Sequence, residues 1–448
     1  MTCETWQDLQ CLSTMARTRA RSGRFTASIG LIDWPEGGIA ADISQLDMPQ
    51  AASTLLIDLA RDSGVHTRRC DLFAGRRGSA ANTAHLPGPV LRRPWGSSAM
   101  VDGTDVSLAI AGARHWPECL AQAVREGSLR GATGRPFRTI LHCSDKGAKT
   151  AARGLCKAAA AQRSAPNVAF LASEDARDLP GLLAKCNPAE TLAVFAYEDL
   201  ASAEARQLVD PVTNWLRDAF DHASAQAHLV AVTGSTQAAF DLDLAAERVI
   251  AAGPEWLAGY SVWSPVNLGL LIALGADGLS DLRAGGWDAD RQFRDSADEA
   301  NLALLLGCAD VWRESVFGRA GDALPLGPAG WDGIELALFA GQPDRLATGI
   351  LTDDPRGLEC DWCDLELLRF SAALRERAHK AGPEAPNVEI ACKGRSLRML
   401  GRLIALTEHR LMVADTIRAA KLRPAAAQQS DAARVISLDD RRRMHAKT

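Results

Sequence analysis

The chain has no apolar run long enough to cross a bilayer: its most hydrophobic stretch, Leu268 to Leu274, is interrupted by Gly269 and stopped by Gly275. No membrane partner is expected. It also lacks a basic excess, because a net charge of -5 and a pI near 6.0 leave no global electrostatic footprint for nucleic acid. Small molecules or proteins are the expected partners. Residues Met1 to Arg24 mix Glu4, Asp8, Arg17, Arg19 and Arg21 with polar side chains and carry no uninterrupted apolar core of signal-peptide length, so a cytoplasmic setting is expected. The 11 cysteines are odd in number and scattered, and Cys360-Asp-Trp-Cys363 is a lone close pair with no second pair or nearby histidine at ligand spacing. Reduced structural thiols are the expectation, with no metal and no cofactor.

What is present is ordinary globular material. At 448 residues, 47% hydrophobic and 23% charged, the chain can build two or three packed domains. Residues 1–24 read as a polar lead with some helical spacing. From Ile39 through Gln50 to Gly64, apolar residues recur at three-to-four spacing opposite a charged side, which predicts an amphipathic helix. Strand-like runs then alternate with helical ones: strands at Phe137 to His142, Val168 to Leu171, Thr191 to Ala196 and His228 to Thr233, helices at Ala148 to Ala161, Asp178 to Lys185 and Glu204 to Ala219. That alternation predicts a parallel α/β sheet. Gly253 and Pro254 open a loop that feeds a buried helix after Ser264. Beyond Pro424 the chain turns to Ala, Gln, Ser and mixed charge and reads as a disordered tail.

The wording of that loop, Trp256-Leu-Ala-Gly-Tyr-Ser-Val-Trp-Ser264 followed by Asn267-Leu-Gly-Leu270, resembles the W-V-G-G-R-Y-S-x-W-S-x-x-G-L signature of the glucose-6-phosphate isomerase family. Further segments resemble the family in the family's order. They are Cys70 to Pro94, Gly131 to Pro136, Ser144-Asp145 in the G-G-S-D-L-G loop, Asp290 to Gly318, and Leu397 to His409 in the L-G-x-L-I-A-L-Y-E-H helix. The resemblance covers roughly residues 39 to 420. It implies two sugar-isomerase (SIS) type three-layer αβα subdomains with parallel sheets, plus an N-terminal helical segment. The expected boundaries are 1–105 for that segment, 106–282 for the first subdomain, 283–423 for a shortened second one and 424–448 for the tail. A homodimer and a sugar phosphate or related polar ligand are implied as well.

Aldose-ketose isomerisation of a hexose phosphate needs a phosphate clamp, a carboxylate base, a cation for the oxyanion and an acid/base pair for ring opening. The family's clamp is S-K-T-x-T-T; here the matching residues are Tyr197-Glu-Asp-Leu-Ala-Ser202, so Glu198 and Asp199 stand where lysine and threonine belong and Ser202 alone persists. The two acids are expected to cap the next helix. Gly259 is followed directly by Tyr260, so the signature arginine is absent. The M-E-S-N-G-K, N-G-Q-H and W-G-V-E-L-G-K segments have no match, and the histidine of D-x-H-F is Gln292. No residue is assigned a catalytic role. Two strand-end loops, Ser144-Asp145-Lys146-Gly147 and Thr233-Gly-Ser-Thr236, lie where open α/β sheets take ligands. The candidate binding set is Ser144, Asp145, Ser202, Glu204, Thr233 and Ser235; the alternative to a ligand site there is plain strand-to-helix turns with N-cap hydroxyls. His409 is expected to be a satisfied core or interface histidine. The expectation is a non-catalytic or altered-substrate homologue, the alternative an active isomerase with relocated residues such as Ser144, Ser202, Ser235 and Glu204.

Overall fold

The computed structural model describes residues 2–21, 31–76, 86–146, 166–253, 261–317, 348–352, 388–392 and 396–422, with residue 256 and helical positions 148, 149, 152, 155 and 156. In chain order the elements are α1 (Thr2–Arg21), β1 (Leu31–Trp34), β2 (Ile39–Asp42), α2 (Gln50–Asp62), α3 (Val65–Phe73), α4 (Gly88–Arg92), β3 (Met100–Val101), β4 (Thr104–Asp105) and α5 (Ser107–Arg125). The α/β region follows: β5 (Thr139–Ser144), β6 (Asn167–Leu171), α6 (Leu179–Leu183), β7 (Thr191–Ala196), α7 (Ala203–Ala219), α8 (His222–Gln226), β8 (Leu229–Thr233), α9 (Thr236–Phe240) and β9 (Val249–Ala251). Then come α10 (Leu268–Asp295), α11 (Leu302–Phe317), β10 (Thr348–Thr352), β11 (Val388–Cys392) and α12 (Leu397–Leu422).

Strands β5 to β9 form one sheet in the order β6-β5-β7-β8-β9, with every pair parallel. Alternate residues face opposite sides, so Ile140, Leu192, Val194, Val230 and Val232 pack with α5 and α10, while Leu141, Cys143, Phe195 and Ala231 pack with α7. Both faces are covered. That is why these strands read as continuous apolar runs rather than as alternation. A second sheet, β1-β2-β11-β10, has a parallel β10–β11 pair and antiparallel β11–β2 and β1–β2 pairs. Its core joins α2, α11 and α12.

Several boundaries differ from expectation. Residues 2–21 form a full helix with Leu9 and Ala16 buried, rather than a polar lead. Ile39 to Asp42 is a strand, not the start of α2, because all four residues are buried and pair with β1 on one side and β11 on the other. Long-range pairing outweighs local helical spacing there. Strand β5 begins two residues later than expected, since Arg138 N–H donates instead to Glu190 O and Phe137 is already core.

Helices α10 and α12 cross closely because glycines face one another. A Cβ on Gly285 would lie 1.8 Å from Arg398 O, and one on Gly401 would lie 1.9 Å from Leu282 O. Around this crossing the charges are paired. Arg92 at the end of α4 is fully buried and grips Asp290 of α10 with two bonds of 2.9 and 2.6 Å, while its third nitrogen reaches Glu408 of α12 at 2.5 Å. Trp263 Nε1 donates to the other Glu408 oxygen at 2.6 Å, and its ring lies under the Arg92 guanidinium. His409 Nε2 bonds Asp290 at 2.7 Å and stacks on Phe293, which is the satisfied core role expected of it. Burial alone would raise the Asp290 carboxyl, but Arg92 and His409 hold it below the usual range. Asp288 similarly receives Arg398 and Arg402, and Asp310 receives Arg410 in a bidentate pair.

Two features inside helices and strands carry their own cost. Gly275 sits at φ +77 within α10, and Arg125 donates to the carbonyls of Ile272 and Ala273 at 2.6 and 3.3 Å beside that kink. His142 in β5 is buried, its two ring nitrogens lack hydrogen-bond partners, and burial lowers its pKa to about 4. His228 is buried as well; Ala132 N–H donates to its Nε2, which leaves Nδ1 as the donor to Thr191 O. Burial lowers its pKa too.

Breaking the Arg92 junction leaves Asp290 buried beside one imidazole, so Arg92→Met is expected to destabilise the fold by about 3–5 kcal/mol in denaturant unfolding. Gly401→Ala forces the two helices apart and is expected to cost about 1–3 kcal/mol or more by the same measurement. The histidines set an acid limit. His142 binds a proton in the unfolded chain below about pH 6.5 but in the fold only near 4. Stability is therefore complete above 6.5 and falls as pH drops toward 4, by about 3 kcal/mol from this residue. His142→Phe is expected to flatten that pH slope in unfolding experiments at a series of pH values.

Candidate functional site at the carboxyl edge of the sheet

Strand β5 has β6 on one side and β7 on the other, so the chain changes direction across the sheet between β5 and β7. A crevice opens at such a switch point at the carboxyl ends of the strands. Ser144 and Ala196 are partners in register there, and the next residues are Asp145 and Tyr197. Thr233 ends the adjoining strand β8.

Each expected site residue has a definite local bond. Ser144 is buried at the end of β5 and donates to Asp145 O at 3.4 Å. Asp145 accepts Ala148 N–H at 2.9 Å and so starts the following helical turn. Ser202 is the N-cap of α7, accepting Ala205 N–H at 3.2 Å, and Ser235 is the N-cap of α9, accepting Ala238 N–H at 3.4 Å. Thr233 Oγ1 donates to Glu198 O at 3.1 Å and accepts Ser235 N–H at the same distance. Glu204, in the first turn of α7, accepts Ser173 Oγ at 3.5 Å. Ser144, Asp145, Ser202, Glu204, Thr233 and Ser235 thus share one edge of the sheet, but among the described residues no hydrogen bond links Ser144 Oγ to the hydroxyls of Thr233 and Ser235. The helix cap after β7 is Ser202 rather than the expected Glu198 and Asp199. Asp199 instead accepts Ala201 N–H at 2.8 Å in a tight turn, and both acids are exposed.

The charge balance of this edge is acidic. Asp145, Glu174, Asp175, Glu198, Asp199 and Glu204 stand against Lys146 and Lys149, and both lysines are engaged. Lys149, with a side chain only 7% exposed, donates to Glu174 at 2.7 Å and Asp175 at 2.9 Å, while Lys146 lies 3.3 Å from Glu174. Burial opposes the Lys149 charge, yet the two carboxylates raise its pKa above the ordinary value. Tyr197 projects its hydroxyl inside this ring with no hydrogen-bond partner, and burial, with Cys143, Glu204, Asp145 and Asp175 nearby, pushes the phenol far up. It remains a neutral donor. Lys149, Glu174, Asp175 and Tyr197 were not among the residues expected from sequence. The signal was there in part, since Ser173-Glu174-Asp175 follows a strand directly and Lys149 stands one helical turn after Asp145.

Among the described residues no group of His, Cys, Asp and Glu is placed to hold a metal. Cys143 and Cys308 are buried free thiols, and burial pushes Cys308 up to about 12. No described helix is long and apolar enough to cross a membrane. Tyr260, Gly147 and the Cys360/Cys363 pair lie outside the described residues.

Known proteins match this architecture. The family model for phosphoglucose isomerase matches residues 42–326. A glucose-6-phosphate isomerase of Burkholderia orbicola (strain MC0-3) is 31% identical over 314 residues, covering 67% of this chain and 54% of that protein. One from Aromatoleum aromaticum (strain DSM 19018 / LMG 30748 / EbN1) is 30% identical over 322 residues, covering 70% of this chain and 58% of its own length. The chain thus spans little more than half the length of the curated relatives it matches. In three dimensions a glucose-6-phosphate isomerase from Chlamydia trachomatis D/UW-3/Cx superposes with a TM-score of 0.65 at 13% identity, covering 98% of this chain and 96% of that one, which establishes a common fold. On the strength of the family match over residues 42–326, this chain belongs to the phosphoglucose isomerase family.

Proposed function

We propose that this chain is a member of the family that does not interconvert glucose 6-phosphate and fructose 6-phosphate in the family's way, and serves as a non-catalytic or altered-substrate homologue. The observation that carries this reading is the loop after β7, where exposed Glu198 and Asp199 stand at the positions of the resemblance's lysine and threonine. Lys149, the buried lysine of this edge, is already paired with Glu174 and Asp175. One carboxylate held 4 Å from a phosphate charge at an effective dielectric near 20 costs about 4 kcal/mol, or roughly a thousandfold in affinity. A neutral or amino-bearing polyol escapes that repulsion and suits this edge better. Ser144, Ser202, Thr233, Ser235, Asp145 and Glu204 are the residues proposed to face it. The resemblance to the family also motivates a homodimer, which sedimentation tests.

The competing reading, an active isomerase that uses relocated residues, has Ser144, Ser202, Ser235 and Glu204 in its favour as polar groups on one edge. A coupled assay with either hexose phosphate separates the two. No turnover above the uncatalysed background is expected. Turnover at rates ordinary for enzymes, of order 1 to 1000 per second, contradicts the proposal. The double variant Glu198→Lys, Asp199→Thr removes the repulsive charges and is expected to gain at least about tenfold in affinity for inorganic phosphate.

A further inference from the structure

Helices α7 and α9, with Leu200 and Ala201 of the loop after β7, line a cavity of about 310 Å³ on the helical layer, within the size range of small-molecule sites. Its walls combine apolar side chains, chiefly Leu200, Val209 and Leu242, with a polar set from α7 and Asp241 at the end of α9. Within that set Thr213 is only 2% exposed, yet its hydroxyl has no hydrogen-bond partner. Arg217, one turn further along α7, has a buried Nε that is also without a partner, and no carboxylate lies within ion-pairing distance of its guanidinium among the described residues.

Two unsatisfied groups of this kind on one cavity wall are unusual, since buried polar groups in native proteins are nearly always bonded. The other charges lining the cavity are accounted for. Arg206 pairs with Asp210 at 3.3 Å, and Asp241 accepts Gln237 Nε2 at 3.0 Å. The cavity wall thus suits one negative charge facing Arg217, with an acceptor or donor for the Thr213 hydroxyl. Asp210 and Asp241 disfavour a second negative charge and suit a hydroxyl or ammonium at the far end of the ligand. A planar carboxylate also matches the guanidinium fork better than a lone halide does.

We propose that this cavity is a binding site for a small monocarboxylate bearing a hydroxyl or ammonium group, with its carboxylate on Arg217 and Thr213 and its polar end toward Asp210 and Asp241. Arg217, Thr213, Asp210 and Asp241 are not among the residues proposed to face a ligand at the strand-end edge, so the proposal does not depend on whether that edge binds a sugar phosphate. Titration calorimetry of the full chain with L-serine, L-lactate and inorganic phosphate tests it. Saturable binding of L-serine or L-lactate is expected in the millimolar range or tighter. Arg217→Gln is expected to weaken that binding at least tenfold and Thr213→Val several-fold, with unfolding curves verifying that each variant is folded. If Arg217→Gln does not fold, the Thr213→Val loss decides the question. Absence of saturable binding by both carboxylates overturns the proposal. So does binding that both variants leave unchanged, or phosphate binding tighter than either carboxylate.

Discussion

Arg92 is the residue on which the arrangement of the long helices depends. It lies at the end of a five-residue helix and is completely buried, and its guanidinium is met by Asp290 of α10 and Glu408 of α12. A charge in such a place is tolerable only with partners of good geometry, and here each face of the group is used: two carboxylates in its plane and the Trp263 ring beneath it. His409 then completes Asp290 from the other side. Because three separate chain segments must arrive together for any of these charges to be satisfied, the junction fixes the register of α10 against α12 far more strictly than apolar packing would. The facing glycines make that register physically possible, since any side chain at Gly285 or Gly401 would strike the opposite backbone.

That junction also sets where the signature loop meets the long helices. The signature loop delivers Trp263 to Glu408, and Asn267 caps the first turn of α10 by accepting Leu270 N–H. These roles are packing and capping. The same segment thus ties the start of α10 to α12. At the carboxyl edge the hydroxyls of Ser202 and Ser235 likewise serve helix starts. The edge is stable on its own terms, with Lys149 locked between two carboxylates, and it presents net negative charge outward.

Much of this was legible in the residues. Thr191 to Ala196 matched the strand β7 residue for residue because a central parallel strand must be apolar on both faces, and α2 and α7 showed their periodicity plainly. The position of Ser144, Ser202 and Thr233 along one edge followed from the alternation of strands and helices. What could not be read was set by distance along the chain. Ile39 to Asp42 has helical spacing on its own and becomes a strand because it is paired on both sides, with Leu31 to Trp34 and with Glu389 to Cys392. Nothing local to Lys149 announces Glu174 and Asp175, and nothing local to Arg217 announces that its neighbours on α9 leave it without a counter-charge. His142 reads in sequence only as the end of a strand, and its burial against Gly269 and Phe170 is set by segments far along the chain.

The account stands or falls on the sign of the charge at the carboxyl edge. Titration calorimetry of the intact chain with fructose 6-phosphate at low ionic strength, where electrostatic effects are largest, measures it directly. The account predicts no saturable heat. Saturable binding that weakens as salt is added would mean that cations, not Glu198 and Asp199, govern the edge, and would contradict it.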